Sequence, residues 1–237
     1  MKQISKQISK MNAQQIVTEL KRQSNPKARE GMARYGIKVE KAFGVSIPTL
    51  RAIAKKTGRN QQLSLEIWNT GYHEARILAA MVGEPEKMTD ALMEKWVHAF
   101  NSWDVCDQVI LNLFRYTPFA WQKAVQWSLR EEEFVKRAGY AMMAQLAVSD
   151  KKASDAMFVG LFPHIKRGAK DPRNMVKKAV NWALRQIGKR NLTLHKNAIV
   201  VGEKILKMPY PGAKWIAMDA LRELRNPRQK QRLREKA

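Results

Sequence analysis

The sequence is poor in the residues that build cross-links and metal centres. One cysteine, Cys106, occurs in 237 residues, which excludes a disulfide framework or a zinc knuckle supplied by this chain alone and fits a reducing cytosol. The four histidines, His73, His98, His164 and His195, are far apart, and none stands at a metal-ligand spacing from another. No apolar run approaches the roughly 20 residues that a membrane span needs. The opening MKQISKQISKMNAQQ repeats KQIS without an apolar segment, so a secretory leader is not expected and residues 1–11 read as a frayed basic lead-in. Alternating strand patterns are absent as well.

What is present is apolar bulk and positive charge. Hydrophobic residues make up 45% of the chain, enough for a large core and too many for a disordered tail. The net charge of +23 exceeds what solubility needs and points to an anionic polymer, nucleic acid ahead of membrane. It is unevenly spread. Residues 1–60 carry +11, residues 61–160 carry −3 and residues 161–237 carry +15, so two basic ends flank a slightly acidic middle. Such ends could grip a phosphate backbone; scattered solvated lysines are the plainer reading of the same pattern.

Apolar residues recur at helical spacing between short punctuations such as Ser24-Asn25-Pro26, Gly83-Glu84-Pro85 and Asp171-Pro172. Ser149-Asp150 and Asp171-Pro172 look like helix N-caps. The reading is an all-α chain of about a dozen helices. It also repeats itself. The segment from Val135 to Leu146 is echoed 41 residues later from Val176 to Ile187, and Ala183-Leu184-Arg185-Gln186-Ile187 is echoed 37 residues on by Ala220-Leu221-Arg222-Glu223-Leu224. A period near 40 with two helices per unit is the signature of HEAT-like repeats, which stack into an α-α superhelix with a concave face. We expect a single repeat domain over residues 1–237, with 226–237 a basic C-terminal tail. Lys136, Arg137, Lys177, Lys178 and Arg185 then fall on helices that could line a basic, DNA-binding groove.

The stretch NSWDVCDQV, residues 101–109, concentrates unusual residues. On a helix Trp103 and Asp107 share a face, while Asp104 turns about 100° away and suits a cap or an ion pair. Cys106 reads as a small packing residue. An indole face attracts a cation and a neighbouring carboxylate adds full negative charge. That pairing suits a reaction that develops positive charge, such as breaking an N-glycosidic bond through an oxocarbenium-like state. A tryptophan at helical spacing is also an ordinary core residue, and on the residues alone both readings stand. Trp182 follows the basic Val176-Lys177-Lys178-Ala179 and precedes Arg185, as expected of an aromatic in a nucleic-acid contact. Trp68, Trp96, Trp121, Trp127 and Trp215 sit in apolar rows and read as core.

These residues resemble the AlkD-type alkylpurine DNA glycosylases, which are built from HEAT-like repeats. The resemblance rests on Met32-Ala33-Arg34-Tyr35, on Phe43-Gly44-Val45-Ser46-Ile47-Pro48 leading to Leu50-Arg51, on Ser102-Trp103-Asp104-Val105-Cys106-Asp107, on Arg137-Ala138, and on Lys178 through Arg185. Order and spacing agree over about residues 12–225. It implies a monofunctional glycosylase that removes cationic N3- or N7-alkylated purines from double-stranded DNA. By the same resemblance Asp107 steadies the developing sugar cation and positions water, and Trp103 and Trp182 pack against the lesion-bearing nucleotide. Arg137 and Arg185 bind the backbone with Lys178 beside them, and Tyr35 and Ser46 lie near the duplex. An open surface, in place of the deep pocket of base-flipping enzymes, would admit bulky adducts. Two departures are visible: Ser102 stands where active relatives can carry a tandem tryptophan, and Ser46 where a longer polar side chain can reach the duplex.

The resemblance implies no metal or organic cofactor, water as second substrate, no membrane association, action as a monomer and a cytoplasmic place with nucleoid DNA. The family also contains branches that bind branched DNA without excision, so a non-catalytic binder of branched or distorted DNA is the alternative, and a helical adaptor for RNA or an acidic protein is a third. Duplex affinity should fall linearly on a log–log plot against salt with a steep negative slope; a flat plot would remove the electrostatic argument.

Overall fold

The computed structural model describes residues 11–235. These residues form α-helices, short 3-10 turns and loops, with no strand among them. They divide into two compact units, one ending at Thr117 and the other beginning at Pro118. The expected lead-in over 1–11 lies outside the described residues except for Met11.

The first unit holds α1 (Ala13–Arg22), α2 (Pro26–Arg34), α3 (Ile47–Thr57), α4 (Gln61–Asn69), α5 (His73–Val82), α6 (Asp90–His98) and α7 (Trp103–Asn112). Side-chain caps start many of them. The Asn12 and Gln15 side chains form a reciprocal capping box, and Asn25, Ser46, Asn60 and Thr89 each accept a first-turn N–H. Helix α5 is the hub, packed against α1, α3, α4 and α7, and nearly all its residues are buried. Beneath it the rings of Trp68 and Trp96 stack 3.9 Å apart at 2°, with Phe100 and Phe114 around them.

Two acid groups tie α5 to its surroundings. Glu74, almost fully buried, accepts the backbone N–H of Phe43 at 3.0 Å, of Gly44 at 2.6 Å and of Val45 at 3.3 Å. The loop before α3 is thereby folded around one carboxylate. Gly44 is required there. Its φ is 78°, and a Cβ would run into the Asn25 carbonyl and stand 2.9 Å from the Arg29 nitrogen at the start of α2. The preceding His73 bonds Asp104 at the start of α7, Nε2 to Oδ2 at 2.8 Å.

The second unit holds α8 (Ala120–Ser128), α9 (Glu133–Ser149), α10 (Asp155–Val159), α11 (Phe162–Gly168), α12 (Asn174–Gly188), α13 (Leu192–Leu206), α14 (Pro211–Leu224) and α15 (Pro227–Arg234). The echoed segments are α9, α12 and α14, so the repeat is real and each copy is the second helix of a pair. Helix α9 packs on α8 and α12, and α12 packs on α13 and α14. Gly139 lets α9 lie against α8, since a Cβ would stand 2.8 Å from the Ser128 Cα and 2.9 Å from the Ala124 carbonyl.

Three expectations are corrected here. Asp150 and Asp171 are not N-caps of helices. Asp150 follows α9 and closes a turn by accepting the Lys152 and Ala153 N–H groups, and Asp171 accepts the Arg173 N–H just ahead of α12; both are short side chains satisfied by local turns. Within the basic tail Asn226 caps α15 and Leu233 is buried. Trp215 does not belong to the core but is 41% exposed.

Replacing Glu74 with Ala leaves three buried N–H groups without an acceptor. Urea unfolding should show a loss of about 3 kcal/mol; a loss below about 1 kcal/mol would mean that water replaces the carboxylate.

Candidate nucleic-acid interface

In the first unit the site begins at the start of α7. Ser102 is the N-cap residue but gives no capping bond; Asp104 supplies the acceptor for Val105 N–H with Oδ1 at 3.0 Å while Oδ2 holds His73. Burial pushes the Asp104 carboxyl up, but the His73 hydrogen bond and charge, with the Val105 N–H, outweigh it and hold it below its ordinary value of 3.8. The buried Ser102 hydroxyl makes no hydrogen bond of good geometry and acts on Asp104 only as a nearby dipole. Val105, Cys106, Val109 and Ile110 form the buried side of α7. Trp103 and Asp107 are half-buried on the other side, one turn apart.

Trp103 is fixed from a distant part of the sequence. Its Nε1–H donates to the Tyr35 carbonyl at 3.3 Å, and Tyr35 closes α2 with its own ring 69% exposed. The structure therefore brings Tyr35, Trp103 and Asp107 to one neighbourhood. Ser46 is placed as a cap: its exposed hydroxyl pairs with Thr49 Oγ1 at 2.9 Å and accepts the Thr49 N–H at 3.3 Å. It lines a cleft of about 350 Å3 with Asn25, Gly44, Glu74 and Asp104.

In the second unit α12 is two-sided. Val176, Ala179, Val180, Ala183, Leu184 and Ile187 are buried, while Lys178 is exposed and Trp182, Arg185 and Lys189 are half-buried. The spacing 178, 182, 185, 189 makes these four a single stripe. Glu223 of α14 holds two of them, accepting from Arg185 Nη1 and from Lys189 Nζ at 2.7 Å. Burial raises the Glu223 carboxyl, and the hydrogen bonds and charges of Lys189 and Arg185 bring it below the ordinary range.

The other predicted cations are placed differently. Arg137 is only 5% exposed and its Nη1 donates to the Met175 carbonyl at 2.6 Å, which ties α9 to the first turn of α12 and is not an open phosphate contact. Lys136 lies 3.3 Å from Asp171 Oδ2, whose carboxylate is also forked by Arg173 at 2.9 and 2.6 Å. Among the described residues no group of three His, Cys, Asp or Glu side chains could hold a metal ion, and no helix is long and apolar enough to cross a membrane.

The family identity comes from the length of the chain, matched against protein-family models. The model described as DNA alkylation repair enzyme matches residues 16–224. The chain belongs to that family. No curated protein matches the sequence. A solved structure described as a new family of proteins related to the HEAT-like repeat DNA glycosylases, with affinity for branched DNA structures, is similar with a TM-score of 0.75. Identity is 20%, covering 90% of this chain and 95% of that one, and it establishes the all-helical, HEAT-like fold. The sequence reading missed His73, Glu74 and Glu223. Only Glu223 left a signal, since it falls within a repeat echo of the Arg185 segment.

Asp104 ionises more easily folded than unfolded, so its contribution is present above the ordinary carboxyl value and is lost as pH falls through the lower folded one. Asp104→Asn should therefore cost about 2 kcal/mol near neutral pH, with the gap to the wild type narrowing on acidification. Urea unfolding across the acid range checks this; a pH-independent gap would assign the loss to packing.

Proposed function

We propose that the protein is a monofunctional DNA glycosylase that hydrolyses the N-glycosidic bond of purines made cationic by N3 or N7 alkylation in duplex DNA, leaving an abasic site. The observation that carries this is the pairing of Trp103 and Asp107 one turn apart on the outer side of α7, with the indole anchored on Tyr35, in a chain of the DNA alkylation repair enzyme family.

Alkylation already supplies the leaving group. A purine alkylated at N3 or N7 carries positive charge and departs as a neutral base once the bond to the sugar breaks, taking the bonding electrons. The charge passes to the sugar as an oxocarbenium ion. A fixed carboxylate at Asp107 stabilises that ion more than it stabilises the ground state, which is the requirement for catalysis. Water then adds to the sugar carbon and gives up a proton. The Trp103 ring face favours the cationic nucleotide over a neutral one, and the Trp182 face on α12 has the same preference for a cationic base. Lys178 and Arg185 supply backbone contacts that are independent of sequence. Arg185 is well suited because its present partner, Glu223, is a carboxylate that a phosphate can replace.

A second reading has its own support. The similar solved structure is described as belonging to a family with affinity for branched DNA, and Ser102 departs from relatives with a tandem tryptophan. On that reading the same surfaces bind DNA and no base is released.

Asp107→Asn keeps the shape and removes the charge. Single-turnover release of 7-methylguanine from methylated duplex should fall roughly 10²-fold or more, with duplex affinity changed less than about twofold. Equal release by the variant removes Asp107 from the chemistry, and no release by the wild type selects the binding-only reading.

A further inference from the structure

Trp215 is the tryptophan that an apolar row assigns to the core and the structure leaves open. It is 41% exposed, and Met218, one turn on, is 57% exposed. With Leu206 from the end of α13 they wall a groove of about 530 Å3 that also carries Arg222 and Arg225. Lys177 Nζ stands 4.8 Å from the centre of the Trp215 ring. Single exposed apolar side chains are ordinary, but three in one concavity rimmed by cations mark a binding surface.

The repeat indicates what the surface is for. At the spacing of 37 residues that relates α12 to α14, Lys178, Trp182 and Arg185 correspond to Trp215, Asp219 and Arg222. The groove therefore straddles two sides of α14: Trp215, Asp219 and Arg222 match the cationic stripe of α12, while Met218, Leu221 and Arg225 match Asn181, Leu184 and Gly188, which α12 buries. Glu223 joins the two helices by holding Arg185 and Lys189. The arginines at the groove make ion pairs at the surface, Arg222 with Asp219 and Arg225 with Glu203. Such pairs contribute little and exchange readily for a phosphate.

We propose that Trp215, Met218 and Leu206 form a stacking platform for an unpaired DNA base, with Lys177 and Arg222 taking the flanking phosphates. Every base has a π-face, so an indole beside cations binds unpaired nucleotides without sequence preference. The feature that the platform reads is then a base already unstacked by a bulge or a gap. This rests on reading the α12 stripe as a nucleic-acid interface and is independent of glycosylase chemistry.

The test compares wild type, Trp215→Ala, Trp215→Phe and Arg222→Glu on two DNAs of equal length at one ionic strength, one fully paired and one with a bulge of unpaired nucleotides, by fluorescence anisotropy. Release of 7-methylguanine from the paired DNA is measured in parallel. Trp215→Ala and Arg222→Glu should weaken bulge binding about tenfold with paired-duplex binding nearly unchanged, and Trp215→Phe should keep most of the preference. A 2-aminopurine placed in the bulge should be quenched by the wild type and not by Trp215→Ala. Equal losses on both DNAs, or none on the bulge, overturn the platform, as does a groove that takes up an acidic peptide and leaves bulge binding unchanged. Where no protein releases base but the bulge preference still depends on Trp215, the glycosylase reading falls and the platform stands.

Discussion

A carboxylate that is nearly sealed from solvent organises the first unit. Glu74 is held by the N–H groups of Phe43, Gly44 and Val45. Burying a charge is costly unless its lone pairs are filled, and three backbone donors converging from one loop fill them. The loop has to follow that arrangement, and Gly44 alone permits the chain to pass so close to α2. From the neighbouring residue, His73 reaches Asp104 and sets the start of α7. Two consecutive side chains at one helix end thus fix both the entry to α3 and the helix that carries Trp103 and Asp107.

The second unit uses cations in two ways. Arg137 and Lys136 lie low between helices, and Arg173 stands at the start of α12, where carbonyls and Asp171 take up their donors. Lys178 and Arg185 lie on the open stripe of α12. Their partners separate the two groups, since Arg137 and Arg173 give donors to backbone carbonyls while Arg185 bonds a carboxylate that a phosphate can replace. Positive charge in the sequence is therefore only an upper limit on positive charge offered to DNA.

Much of the fold was legible. Helical periodicity, short punctuations and the echoes at 41 and 37 residues gave an all-α repeat chain, and α9, α12 and α14 are those echoes. The misreadings have local causes. Asp150 and Asp171 look like caps, but a short acidic side chain satisfies a turn as readily as a helix. Trp215 has apolar neighbours in sequence, yet at 100° per residue Trp215 and Met218 leave the side on which Ala213, Ile216 and Ala217 are buried.

The sequence by itself determined the helices, their repeat and the pairing of Trp103 with Asp107, because these follow from spacing within a single turn or period. Tertiary structure decided which polar groups are free to act. That Asp104 serves His73, that Trp103 rests on Tyr35, that Arg137 is buried and that Trp215 is open all depend on contacts between residues about thirty or more positions apart or on the neighbours that happen to cover a face. Helical spacing assigns each side chain a direction, but only packing sets what it meets there.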